Sequence, residues 1–262
     1  MRKVWRNGRG APVLVATMLA ALVVPAHALH RNTPASIRIT RGSAITLPPT
    51  RSWGYVNAFS STDDVLGTGS TGRQIYLFSL FEYDCGFGVP GPELSSCRGR
   101  PAVSQITSGP GDPDDPSVGF RTTWVAFDAD GSYGGGTGPG VGHRQIFLLN
   151  RTTEQLLRLT DAADGDSIRP TIDEKTLSVV FESTASLRGG GSGVSQIFVY
   201  PQTPPFIQIT HGAGPSTHAM PTKVSVGVAF ESTAALKGDG HDTGVSQIFW
   251  YDRKKSTLVQ LT

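Results

Sequence analysis

A block of text is written twice at a fixed separation: "FESTASLRGGGSGVSQIF" from Phe181 to Phe198, and "FESTAALKGDGHDTGVSQIF" from Phe230 to Phe249. Compared outward, the block has two fainter relatives. A Gln-Ile-aromatic triplet recurs as Gln74-Ile75-Tyr76, Gln145-Ile146-Phe147, Gln196-Ile197-Phe198 and Gln247-Ile248-Phe249, in steps of 71, 51 and 51 residues. Each triplet is followed by a run ending in Thr (Thr107, Thr160, Thr210, Thr262) and preceded by a run ending in Phe (Phe59, Phe127, Phe181, Phe230). The long first step carries extra sequence around Cys85 and Cys97.

Each unit holds short runs rich in β-branched and aromatic residues, separated by Gly, Pro, Ser, Asp and Thr clusters, which are strand and turn signals. In the third unit the runs predict strand a at Arg169 to Ile172, b at Ser178 to Glu182, c at Gln196 to Tyr200 and d at Phe206 to Ile209. No 11-residue window after the first 28 residues carries a 3.6-residue apolar period, so helix is expected to be scarce. A unit of about 50 residues with four strands is the blade of a β-propeller, stacked on its neighbours around a central channel. The expected fold is an all-β propeller of four-stranded antiparallel blades over residues 44–262, with units at about 44–107, 108–160, 161–210 and 211–262. The Phe of strand b and the aromatic of strand c are expected to pack between blades.

These residues resemble a family. The two long blocks, each ending in a "QIT" or "QLT" strand, are similar to the TolB-like propeller repeats of exported bacterial proteins. The resemblance covers roughly Ala44 to Thr262 and implies a propeller and an extracytoplasmic location. It implies no particular function, since one fold hosts many. The chain departs from the family in two respects: four units are found where six or more are usual, and the small α/β domain that precedes the propeller in TolB has no counterpart.

Residues 1–28 read as a secretory leader. Arg2, Lys3, Arg6 and Arg9 precede an apolar run from Ala11 to Val24, and Ala26-His27-Ala28 is a small-x-small cleavage signal. The run is shorter than the roughly 20 residues a spanning helix needs. Residues 29–43 follow as a segment with an extra outer strand, "SIRIT". Without the leader, 23 Lys and Arg against 21 Asp and Glu become 19 against 21, a net charge of about −2. That balance offers no basic footprint for nucleic acid. The expected location is periplasmic or secreted, where Cys85 and Cys97, eleven residues apart, are expected to form one disulfide.

Sites of chemistry are few in the sequence. "GTGSTG" from Gly67 matches the dinucleotide fingerprint, but a strand-like run follows it where that motif needs a helix. The histidines after the leader, His30, His143, His211, His218 and His241, show no metal-ligand spacing, and Gly-x-Ser-x-Gly is absent. The distinctive feature is acidic. In an antiparallel blade the b–c loops and the d–a connections open on one face, and those loops hold 12 of the chain's 15 Asp.

Asp112, Asp114, Asp115, Asp161, Asp164, Asp166, Asp239 and Asp242 form the candidate binding set. One reading makes them turn formers; the other makes them a face that collects calcium or a basic partner. The expected function is a non-enzymatic binding module for a protein or glycan of the cell envelope. Its alternatives are a polysaccharide lyase or hydrolase working in the channel, and a fragment of a longer propeller. An enzyme would need a His, Arg and carboxylate set on strands a, where the sequence reading finds Arg169. For the whole, a closed four-bladed ring is favoured over an open arc prone to self-association.

Overall fold

The structure is a computed structural model that describes residues 56–82, 100–119, 123–173, 177–189, 193–202, 205–222, 227–237 and 244–262. The leader, residues 29–43, Cys85, Cys97, Asp239 and Asp242 lie outside them. The described residues fall within one compact unit. Among the described residues the sole helical turn is a 3-10 turn at Tyr133–Gly135, and no helix is long and apolar enough to cross a membrane.

Among the described residues fifteen strands fall into four antiparallel sheets. Blade 1 holds β1 (Val56–Ser61), β2 (Gln74–Glu82) and β3 (Arg100–Gln105), strands b, c and d of the repeat. Blade 2 holds β4 (Asp114–Val118), β5 (Trp124–Asp130), β6 (Arg144–Asn150) and β7 (Gln155–Arg158). Blade 3 holds β8 (Ser167–Ile172), β9 (Val179–Ser183), β10 (Gln196–Tyr200) and β11 (Ile207–Gln208). Blade 4 holds β12 (Ser216–Pro221), β13 (Gly227–Ser232), β14 (Gln247–Asp252) and β15 (Thr257–Gln260). The expected strands of the third unit agree with these to within two residues, β11 being the shortest.

Every repeated letter has a structural task. The Phe of strand b and the aromatic of strand c are cross-strand partners in all four blades, and their rings stack at 5.5–5.8 Å between centroids. Such pairs contribute about 0.5–1.5 kcal/mol beyond their burial. In blades 1 to 3 the Ile of the triplet and the residue two places on point to the following blade. Ile75 and Leu77 meet Val125, Phe127 and Phe147; Ile146 and Leu148 meet Val179, Phe181 and Phe198; Ile197 and Val199 meet Val228, Phe230 and Phe249. One side of a blade is thus aromatic and the other aliphatic, and the sides alternate through the stack.

The closing Thr completes the hairpin. Its Oγ1 accepts the N–H of the triplet Ile in every blade: Thr107 from Ile75 at 2.8 Å, Thr160 from Ile146 at 2.9 Å, Thr210 from Ile197 at 2.9 Å and Thr262 from Ile248 at 2.8 Å. In blades 1 to 3 the buried Gln amide donates to a carbonyl of the next d–a connection: Gly109 from Gln74, Ala162 from Gln145 and Gly212 from Gln196, each at 2.9 Å. The Ser of "FES" is buried as well. Ser183 Oγ meets Ser167 Oγ at 2.9 Å and accepts the Ala185 N–H at 3.0 Å, and Ser232 repeats this with Ser216 and Ala234. Gly165 and Gly214 pass so close to the following Thr-Ala step that an added Cβ would sit within 3 Å of a backbone amide nitrogen there.

The order of packing is 1 to 2, 2 to 3 and 3 to 4, chiefly through the innermost strand of each downstream blade. Strand β8 lies against β4, β5 and β6, and β12 against β8, β9 and β10. All of this cross-blade packing involves the innermost strand of the downstream blade; for blade 1 that stretch precedes Val56 and lies outside the described residues, and so does the closure of the ring that the sequence favours.

Candidate functional site

The inner edge of the stack is a row of charged groups set by one recurring kink. Strands β4, β8 and β12 each carry a register shift against their neighbour, and at each shift stands a non-glycine residue of positive φ: Asp115 (44°), Arg169 (52°) and His218 (55°). All three stand twelve residues before the Phe of their unit. Left-handed conformations at such residues cost on the order of 1–3 kcal/mol and persist where surroundings hold them.

Carboxylates do the holding. Asp128 of β5 accepts the Arg169 N–H at 3.0 Å, and Glu182 of β9 accepts the His218 N–H at 2.7 Å. In blade 1 the position of these acids is Ser60, whose hydroxyl donates at 2.6 Å to Asp114, and Asp114 itself accepts the Asp115 N–H at 2.8 Å. Each latch thus ties a strand b to the innermost strand of the next blade. Arginines complete them: Arg144 pairs with Asp128, and Arg169 Nη1 stands 3.3 Å from Glu182.

The electrostatics follow from burial. Burial pushes the Asp128 carboxyl up to about 7; Arg144 opposes the rise and the Asp115 charge adds to it. Glu182 is raised for the same first reason, with the His218 N–H and Arg169 opposing. Asp115 is raised by burial and then by the charge of Asp114.

The acidic loop face divides into several parts. Asp112 and Asp114 gather around two arginines: Arg73 pairs with Asp114 and lies 3.8 Å from Asp112, while Arg144 lies 3.7 Å from Asp112. Asp115 joins this group electrostatically. Asp166 borders it, accepting the Arg144 N–H at 2.9 Å with His143 Nδ1 at 3.3 Å. Asp161 is separate, paired with Arg158 and accepting the Gly140 N–H at 2.9 Å. Asp164 has its pKa lowered by the Ser186 hydroxyl and then by the Ser186 N–H, which it accepts at 3.2 Å.

Asp64 and Asp130 hold their own loops, from the N–H of Gly69 at 2.7 Å and of Ser132 at 2.8 Å respectively. The "GTGSTG" text is therefore a turn wrapped on Asp64. Among the described residues no group of three or more His, Cys, Asp or Glu is placed to hold a metal ion. Arg73, Arg144 and Arg158 pair with Asp112, Asp114 and Asp161 of this face.

Two features escape a reading by composition. Asp115 and His218 join Arg169 at the bulges, so the inner rim does carry a carboxylate, a guanidinium and an imidazole at equivalent positions. The signal was present in the sequence, twelve residues before each Phe, but neither alternation nor turn residues mark a bulge. The b–c loops also present Leu66, Val141 and Val245 to solvent, each more than two fifths exposed.

No family model and no curated protein matches the chain. Solved structures do. TolB from Acinetobacter baumannii superimposes with a TM-score of 0.52 at 18% identity, over 84% of this chain and 44% of that one. A prolyl endopeptidase matches with a TM-score of 0.51 at 10% identity, over 84% and 29%. A TolB-like protein from Agrobacterium tumefaciens reaches 0.49 at 16% identity, over 80% and 61%. The chain therefore spans less than two thirds of the length of each.

Proposed function

From the TolB-like β-propeller fold of this chain, we propose that it is an exported, non-enzymatic binding module that recognises a protein of the cell envelope through the face made by its b–c and d–a loops. One observation carries the reading: Asp112, Asp114 and Asp161 of that face are paired with arginines of the same face, while Leu66, Val141 and Val245 stand out from its loops. A face with several of its acids paired to its own arginines and its loops tipped with apolar side chains suits a protein surface better than a bare cation. Export rests on the leader-like residues 1–28, and a glycan of the envelope is the other ligand class.

Pull-down from envelope extract with mass-spectrometric identification is the test. The double variant Leu66→Glu with Val141→Glu is expected to fold and to lose the captured protein. Capture that survives the double variant removes the loop face from the reading.

A second reading has its own observation. Asp115, Arg169 and His218 at the inner rim are the residue types a lyase or hydrolase of anionic polysaccharides would place in its channel. Turnover of an acidic oligosaccharide that Arg169→Ala and His218→Ala both abolish would establish this reading over the first.

A further inference from the structure

The downstream side of blade 4 repeats the downstream sides of blades 1 to 3 in sequence but not in burial. Ile75, Ile146 and Ile197 are each 0% exposed beneath the next blade, whereas their counterpart Ile248 is 39% exposed. Ile209 is 8% exposed and its counterpart Leu261 is 60%. Val259 is exposed beside them, and Trp250 takes the place of the buried Val199. These residues share the aliphatic side of β14 and β15 that a following blade would cover.

The polar latch is equally incomplete. Glu231 occupies the place of Asp128 and Glu182, one residue after the Phe of strand b. Those two acids are buried and accept the N–H of a left-handed residue on the next innermost strand. Among the described residues Glu231 meets its own blade instead: His218 Nδ1 at 3.4 Å and the Ser246 hydroxyl, which donates at 3.4 Å. Its side chain is 42% exposed. An aliphatic face and a carboxylate in the same register therefore await one particular shape, an innermost strand that offers a bulge N–H.

The chain contains the sequence of such a strand outside its described blades. Twelve residues before Phe59, in the register of Asp115, Arg169 and His218, stands Leu47 in "ITLPPT". Leu47 is followed by Pro48, as Asp115 is by Pro116 and Arg169 by Pro170. Only eight residues separate Leu47 from β1, and the face of blade 4 formed by Ile248, Val259 and Leu261 stays exposed in the single chain.

We infer that the open side of blade 4 is a blade socket that receives the Leu47 segment and the leading edge of blade 1 from a second copy of the chain. The pairing is heterologous, and two copies related by a two-fold axis satisfy both sockets at once, closing eight blades into a ring rather than an open filament.

Light scattering of the purified full chain over a range of concentrations tests the inference. The expected mass is that of two chains. Ile248→Arg is expected to give the mass of one chain with a melting curve close to the parent's, since among the described residues no following blade covers Ile248. Glu231→Ala should weaken pairing by roughly tenfold or more, the loss of a hydrogen bond to a charged group, and Glu231→Gln, which still accepts, by less. Val141→Arg, on the loop face, should leave the mass unchanged.

A one-chain mass for the parent at every concentration overturns the inference. So does a two-chain mass that Ile248→Arg leaves intact, which places the interface elsewhere. A melting temperature lowered by Ile248→Arg as far as by Ile197→Arg also overturns it, because the face is then covered within one chain.

Discussion

At Asp128, burial and hydrogen bonding act against each other. The carboxylate holds the strained backbone at Arg169 and is paired with Arg144, yet its burial raises its pKa to about 7. A carboxyl whose folded pKa lies above its unfolded value near 3.8 stabilises the fold most below about pH 4, and that contribution is lost as pH rises toward 7. Asp128→Asn keeps an oxygen for the Arg169 N–H and carries no titratable group. The parent should therefore lose stability relative to Asp128→Asn between pH 4 and 7, measured as the difference of their urea midpoints. A difference that stays flat, or grows in the parent's favour, contradicts this account. The acidic residues were legible as a class, because Asp is conspicuous in loops. Their individual tasks were not: Asp64 and Asp130 wrap turns, Asp128 crosses to another blade, and Asp112 and Asp114 sit on arginines from distant parts of the chain. Spacing along a chain does not reveal which arginine a loop acid will meet.

A blade is closed at its loop end by the Gln-Ile-aromatic triplet and its Thr. At Thr160 the hydroxyl is buried and is the acceptor for the buried Ile146 N–H. Thr160→Val keeps the shape and removes the acceptor, so an unsatisfied N–H should cost about 1–3 kcal/mol, read from denaturant unfolding. Thr262→Val makes the same change where the bond is exposed to water, and its cost should be well under half as large. Equal costs would show that the bond matters through strand pairing rather than burial. Strand identities were readable at this scale because alternation and the stacked aromatic pair reflect a two-residue period. Strand a was the least legible, since its bulge breaks that period at Asp115, Arg169 and His218.

Across blades 3 and 4, the face opposite the loops is fastened by Arg253. Its Nη1 lies 3.2 Å from Asp173, whose side chain is fully buried, and its Nη2 donates to Ser178 at 3.1 Å. Arg253→Met removes this cation from the buried carboxylate, and breaking such a pair costs up to about 3–5 kcal/mol. The loss should appear as faster amide hydrogen exchange in β12–β15 than in β4–β7. Uniform acceleration over all blades would mean the stack unfolds as one cooperative body. At this scale the sequence revealed the number of units but not their closure, because closure depends on the angle between blades, which no repeat spelling encodes.

Each latch, hairpin and stacked pair joins a blade only to itself or to its immediate neighbour. A unit of 51 residues is therefore a self-sufficient word. Recombination between the nearly identical third and fourth copies can insert or delete a whole word and still leave every remaining blade with an aromatic side, an aliphatic side and an acid in register. Blade number in such a lineage can change by a single genetic event, with no compensating substitutions in the blades that remain.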